Sequence, residues 1–258
     1  MTMDLGPDGW SLEALVSRRA SSAPIVPQVA RLDVDRERRK GVPEIVLAEG
    51  KRGEHVEEIV ATFLQRAGRC LVSRARPAVV RRLRLRFAHC SVTVHDLARM
   101  VVVRAAAGGP APTGGTVGVL TAGTADVPIA EEARVIAAEM GCRVLVAYDV
   151  GVAGIHRLGE PLEQLRAARA DAVVVAAGMD GALPSVVAGL VDVPVIGVPT
   201  SVGYGAGGRG LAALLAMLQT CVPGLVVVNV DNGVGAGATA ALIANRAAAA
   251  RGSTGAGS

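Results

Sequence analysis

Cys221 stands between two glycine-rich loops in residues 200–237, with an apolar helical segment before it and a buried-strand pattern after it. A thiol attacks as its thiolate, so the surroundings of Cys221 decide whether it can be a nucleophile. The segment before it reads as a helix that ends there, and the negative end of a helix dipole disfavours a thiolate. A reactive Cys221 therefore needs a positive partner, for which Arg157, Arg209 or a cationic ligand are candidates. The plainer alternative is a small buried hydrophobe, which is what most free cysteines are.

Further chemistry-bearing residues fall in loops of similar make. Residues 121–126 carry Thr124 and Asp126 ahead of Pro128, and their hydroxyl, carboxylate and amides suit a phosphate or ribose as well as they suit a helix cap. Residues 149–157 offer Asp149, His156 and Arg157 within one loop, a set able to do acid/base or ligand work. Asp180 is a single acid in a glycine turn, where capping is the default role. Residues 200–210 hold Thr200, Ser201 and Tyr204 with glycines at 203, 205, 207, 208 and 210. That is more glycine than a turn requires, and it reads as a mobile phosphate-covering loop in which Gly205 and Gly207 let amides approach a ligand. Residues 229–237 add Asn229, Asp231 and Asn232 before three more glycines.

Packed elements must hold such loops. Apolar strand patterns at 116–120, 143–148, 172–176, 193–198 and 225–230 alternate with helical patterns at 129–140, 162–168, 183–190, 211–220 and 238–249. Continuously apolar strands alternating with helices predict a parallel sheet covered on both faces. In such sheets ligands bind beyond the carboxyl ends of the strands, where all five loops fall.

Upstream, residues 30–40 are highly charged and read as a solvated helix closed by Gly41 and Pro43. A short strand at 44–47 leads to Ala48-Glu49-Gly50-Lys51 and an amphipathic helix at 54–65; a glycine and Lys51 before a helix start suit an anion, though such a turn is usually only a turn. Strands at 70–73, 84–87 and 100–104 complete a small α/β domain over 30–107. Residues 108–115 are the linker, 116–250 the second domain, 1–29 an arm with a short helical pattern at 10–16, and 251–258 a flexible tail.

The formal charge is +4, carried almost wholly by arginine, since Lys40 and Lys51 are the two lysines. This favours anionic ligands only slightly, and no nucleic-acid or membrane partner is expected. No apolar run reaches membrane-spanning length, and the start lacks the apolar core of a signal peptide. The cysteines Cys70, Cys90, Cys142 and Cys221 form no paired-ligand spacing, which fits a reduced, cytoplasmic compartment.

The second domain resembles the PurE-type carboxylases and mutases of aminoimidazole ribonucleotide. The shared residues are Gly123-Thr124-Ala125-Asp126-Val127-Pro128, His156-Arg157, Ala176-Ala177-Gly178 and Val195-Ile196-Gly197-Val198-Pro199. Residues 31–246 are more specifically similar to the LarB family, the pyridinium-3,5-biscarboxylic acid mononucleotide synthases of nickel-pincer cofactor biosynthesis. LDVDRERRKGVPEIVLAEGK at 32–51, AGMDGALPSVVAGLVDVPVIGVPTSVGYGAG at 177–207, ALLAMLQTC at 213–221 and VVNVDNGVGAG at 227–237 carry that likeness. The chain departs from the family pattern at Asp180, where a Glu is usual, at Val234, where a Phe-like residue is usual, and at Gln219-Thr220, where Asn-Ser is usual.

The resemblance implies a flavodoxin-like α/β fold assembling as an octamer, preceded by a smaller α/β domain. It implies carboxylation of nicotinic acid adenine dinucleotide by CO2 or bicarbonate, then phosphoanhydride hydrolysis that releases AMP. Cys221 would be the nucleophile, whose positive partner is the pyridinium ring. Asp149 or Asp180, with His156 as the alternative, would take the ring proton. Magnesium, held by Asp149 and Asp180, is the expected cofactor, with no organic prosthetic group. Thr124, Asp126, Arg157, Thr200, Ser201, Tyr204, Gly205, Gly207, Asn229, Asp231, Asn232 and Lys51 would bind the substrate. Two other readings stand beside this one: an aminoimidazole ribonucleotide carboxylase or mutase of PurE type, and a non-catalytic nucleotide-binding regulator.

Overall fold

A computed structural model describes residues 30–254 and the short strand at Ile25–Val26. The helical pattern at 10–16, most of the arm, and residues 255–258 lie outside the described residues. In chain order the elements are β1 (Ile25–Val26), β2 (Ala30–Arg31), α1 (Arg36–Lys40), β3 (Ile45–Leu47), α2 (Gly53–Ala67), β4 (Arg69–Ser73), α3 (Pro77–Arg86), β5 (Ser91–His95) and β6 (Met100–Arg104). There follow β7 (Thr116–Thr121), α4 (Val127–Glu139), β8 (Arg143–Ala147), α5 (Gly159–Ala167), β9 (Ala172–Ala177), α6 (Leu183–Ala188), β10 (Val195–Pro199), α7 (Leu211–Leu218), β11 (Leu225–Val227) and α8 (Gly233–Thr254).

The second half forms an all-parallel sheet of order β11-β10-β9-β7-β8. β7 and β9 are neighbours, in a register that sets Val119 beside Val174, and the direction of winding reverses between them. This is the flavodoxin-like order. Every residue of β7, β9 and β10 is buried, as Val- and Ala-rich strands covered on both faces must be. Residues of α5, α6 and α7 pack on one face with Val173, Val175 and Val195, while α4 and α8 cover the other with Val174 and Ile196.

The first half forms a mixed sheet of order β3-β4-β6-β5, parallel at β3–β4 and antiparallel elsewhere. One face buries Val56, Ile59, Val60 and Phe63 of α2 with Val79 and Leu83 of α3. The other sends Leu71, Met100 and Val102 into the core that contains Ala133, Ile136, Ala240 and Ala244 of α4 and α8. The layers therefore alternate: helices, parallel sheet, α4 and α8, mixed sheet, helices. Glu139 of α4, itself buried, joins the halves by binding Arg69 at 3.3 Å and Arg104.

Several elements differ from the sequence expectation for identifiable reasons. The strand expected at 84–87 is the end of α3, where Pro77 takes the first helical turn and the i, i+4 pair Val79 and Leu83 is buried while Leu85 is 81% exposed. The strand of this region is β5, further on. The expected helix over 30–40 is only the turn and a half of α1, preceded by β2. α8 begins at Gly233 rather than near 238 because its glycines serve close helix packing. A Cβ on Gly237 would lie 2.7 Å from Ala133 Cα, and one on Gly233 2.8 Å from Glu132 Cβ. α8 also runs to Thr254, through part of the expected tail, and Arg251 binds the buried Asp171. No helix among the described residues is long and apolar enough to cross a membrane.

Candidate active site

All five parallel strands deliver their loops to one rim, and hydrogen bonds tie the loops together. Thr121, the last residue of β7, accepts the Asp149 amide on its hydroxyl at 2.9 Å and the Val150 amide on its carbonyl at 2.9 Å. Asp126 is 4% exposed. Its Oδ2 accepts the Gly123 amide at 2.9 Å, its Oδ1 accepts the Thr200 hydroxyl at 2.6 Å, and it also accepts the Gly178 amide. Burial raises its carboxyl above the usual carboxylate range, against these hydrogen bonds, which favour the ionised form. With both oxygens so engaged, Asp126 tethers the loops after β7, β9 and β10.

The loop after β10 is held from two further sides. Met179 donates its amide to Val202 O at 3.0 Å. A Cβ on Gly178 would come within 2.7 Å of Thr200 Oγ1. Asp231 accepts the Ser201 amide on Oδ1 at 2.8 Å and donates its own amide to Pro199 O at 2.9 Å. Asp149, Met179 and Asp231 all adopt left-handed backbone, at φ of 59°, 49° and 56°. Non-glycine residues in that region are uncommon and gather where a site over-determines the backbone.

On this frame, Arg157 pairs with Asp149 at 2.7 Å, and both are substantially exposed. His156, Thr124, Ser201 and Tyr204 are exposed on the same loops, Tyr204 by 81%. Residues 205–210 form a 3-10 segment with Gly205 at φ 73°, so the rim there is backbone that a ligand can approach. Asp180 is exposed and accepts the Ala182 amide at 3.3 Å; Asn232 caps α8 by accepting the Gly235 amide at 2.9 Å. Asn229 accepts the Val230 amide at 2.9 Å. Lys51 donates to Leu47 O at 2.8 Å within the first half. Its neighbour Glu49 binds Arg74, which donates to Asp231 O at 3.0 Å, so this turn abuts the loop after β11.

Among the described residues no three His, Cys, Asp or Glu side chains gather as metal ligands. Asp149 is already paired with Arg157 and Asp180 caps its own turn. A magnesium ion here would take most of its shell from phosphate oxygens and water, which is its usual habit.

Cys221 is not brought to this rim within one chain. Gly224, three residues on, accepts the amide of Val195, the first residue of β10, whereas Thr200 follows the last. Val195 and Thr200 lie about 17 Å apart at 3.3 Å per residue. α7 starts at the rim and carries the chain back to the opposite edge, leaving Cys221 exposed there. Cys70 and Cys142 are buried and Cys90 is half-buried, and burial pushes the Cys142 thiol up to about 11 and that of Cys70 higher still. Cys221 is thus the accessible thiol of the chain. Its helix presents Leu211, Leu215 and Leu218 at i, i+4 and i+7, each more than half exposed.

Sequence reasoning passed over Arg74 and Glu132. An arginine before an alanine carries no motif, and a helical glutamate reads as solvated surface.

Residues 26–105 match the family described as LarB/PurE-like N-terminal domain, and residues 116–254 match the family described as AIR carboxylase. The chain belongs to the LarB family. A relative in Methanocaldococcus jannaschii, described as an uncharacterized protein, is 40% identical over 219 residues, 83% of each chain. The N5-carboxyaminoimidazole ribonucleotide mutase of the same organism is 38% identical over 120 residues, covering 46% of this chain and 69% of the mutase. LarB and PurE-like domains in this order mark a protein of carboxylase or mutase type.

Proposed function

We propose that the protein carboxylates the pyridinium ring of nicotinic acid adenine dinucleotide at C5 and hydrolyses its phosphoanhydride, giving pyridinium-3,5-biscarboxylic acid mononucleotide and AMP. The observation that carries this reading is the pairing of a LarB-type first domain with a PurE-like rim in a chain whose accessible thiol is Cys221.

The chemistry is redox-neutral. The Cys221 thiolate adds to C4 of the cationic ring, giving a dihydropyridine whose C5 is an enamine carbon. C5 attacks CO2, forming the carbon–carbon bond and an iminium. A base at the rim, Asp149 or Asp180, or else His156, takes the C5 proton, and expulsion of the thiolate restores the pyridinium. The net exchange is a ring hydrogen for a carboxylate, with one proton released. Water then cleaves the phosphoanhydride to free AMP. Thr124, Arg157 and the amides of residues 204–208 meet the phosphates, with Asn229 and Asn232 at the adjoining edge.

We infer that a second copy of the chain completes the site. In a homo-oligomer, which we take to be an octamer, the apolar stripe of α7 packs against a neighbour and delivers Cys221 to that neighbour's rim. Such a stripe is the kind of surface that an assembly covers.

Incubation with nicotinic acid adenine dinucleotide, bicarbonate and magnesium, followed by mass spectrometry, should show AMP and the biscarboxylated mononucleotide. The likeness to the mutase favours one competing activity, turnover of an aminoimidazole ribonucleotide without covalent catalysis. Cys221→Ala separates the two: it abolishes the proposed carboxylation and would spare the other.

A further inference from the structure

One buried carboxylate at the junction of the two halves is surrounded by strained backbone. Glu132 of α4 is 4% exposed. Arg74 Nε lies 3.8 Å from its Oε1, the Val234 amide donates to it, and the charges of Arg99 and Asp231 also act on it. Arg74, Arg99 and Asp231 adopt left-handed backbone, at φ of 50°, 51° and 56°. Three non-glycine residues in that region around one side chain call for a compensating contact.

Arg74 supplies it. The residue follows β4 of the first half, and its guanidinium donates from Nη2 to Asp231 O at 3.0 Å while Nη1 binds Glu49 at 3.2 Å. Asp231 is the residue whose carboxylate holds the Ser201 amide and whose own amide holds Pro199 O. A single side chain of the first half therefore grips the residue that fixes the start of the loop after β10. The planar fork of arginine meets these directions at once, and lysine cannot.

We propose that Arg74, backed by Glu132, is a positioning residue for substrate binding: through Asp231 it sets the Thr200–Ser201 end of the glycine-rich loop. The first half of the chain is then part of the binding machinery. The role in substrate binding rests on the reading of the rim as the nucleotide site. The alternative is a tie between the two halves with no bearing on the loop. Arg69 provides the comparison, because it makes a junction ion pair with Glu139 and touches no rim residue.

The experiment compares hydrogen exchange in the full-length wild type, Arg74→Ala, Arg74→Lys and Arg69→Ala. Arg74→Ala should speed exchange of the Ser201 amide and the peptides around 198–204 and 229–233 about tenfold, the factor expected for one lost charge-assisted hydrogen bond. Arg74→Lys should fall between, and Arg69→Ala should leave these peptides at the wild-type rate. Unchanged exchange in Arg74→Ala, or equal acceleration in Arg69→Ala, overturns the proposal. In the product assay Arg74→Ala should raise KM for the dinucleotide about fivefold with a smaller effect on kcat. If kcat falls and KM does not move, the positioning role is wrong. A wild type without turnover would refute the reading of the site, while the exchange comparison would still decide whether Arg74 sets the loop.

Discussion

Replacing Glu132 by Gln should make the protein more stable at alkaline pH and leave it unchanged at acid pH. Burial raises the Glu132 carboxyl from the ordinary 4.5 to about 7, and the nearby Arg74 offsets that burial only in part. A carboxyl whose native value is raised binds its proton more tightly in the folded state. Its contribution to stability is therefore intact below pH 4.5 and is lost as pH rises towards 7. A rise from 4.5 to about 7, at about 1.4 kcal/mol for each tenfold change in proton affinity, means that ionised Glu132 costs the native state at most about 3.5 kcal/mol. Glutamine matches the protonated form in shape and charge. Thermal melts at pH 4 and pH 8.5 measure the difference directly. Glu132→Gln should melt with the wild type at pH 4 and roughly 7–14 °C above it at pH 8.5, taking about 2–4 °C per kcal/mol for a chain of this size. Equal offsets at the two pH values, or a variant less stable at pH 8.5, would refute the reasoning.

Other outcomes follow from the same geometry. Thr200→Val leaves Asp126 short of its 2.6 Å donor in a buried setting and should cost about 1–3 kcal/mol in urea unfolding, with activity lost as the loops part. Gly178→Ala places a methyl group against Thr200 Oγ1 and the Val202 carbonyl, and should abolish turnover; an active variant with an unshifted melt would show that the loops do not pack as described. Leu215→Asp puts a charge in the exposed stripe of α7 and should yield smaller species in light scattering, with activity falling in step. Mixing two inactive variants, Cys221→Ala and Arg157→Ala, under conditions that exchange subunits should restore part of the activity. No recovery would contradict a site shared between copies.

Much of the parallel half was legible in the sequence because its strands are uninterrupted runs such as AVVVAA at 172–177, and its helices have the other period. The mixed half was less so. RRLRLRF alternates like a strand, yet Pro77 and the spacing of Val79 and Leu83 make it helical, and tertiary packing decides between the two patterns. The glycines of α8 read as a loop because a sequence does not say whether a missing side chain serves a turn or a close approach. The loop residues were visible as loop residues; that Asp126 and Asp231 hold other loops was not, since their partners lie 74 and 30 residues away. Cys221 shows the same limit in another form. A helix that leaves the rim returns the chain to the opposite edge, so topology separates residues that share one motif-rich stretch.

Single-turnover mass spectrometry of the intact protein with nicotinic acid adenine dinucleotide and bicarbonate tests covalent carboxylation at Cys221. A covalent adduct on Cys221 should form first, followed by AMP and a ring carrying one carboxylate more than the substrate. AMP without a carboxylated ring, or carboxylation undiminished in Cys221→Ala, would contradict it.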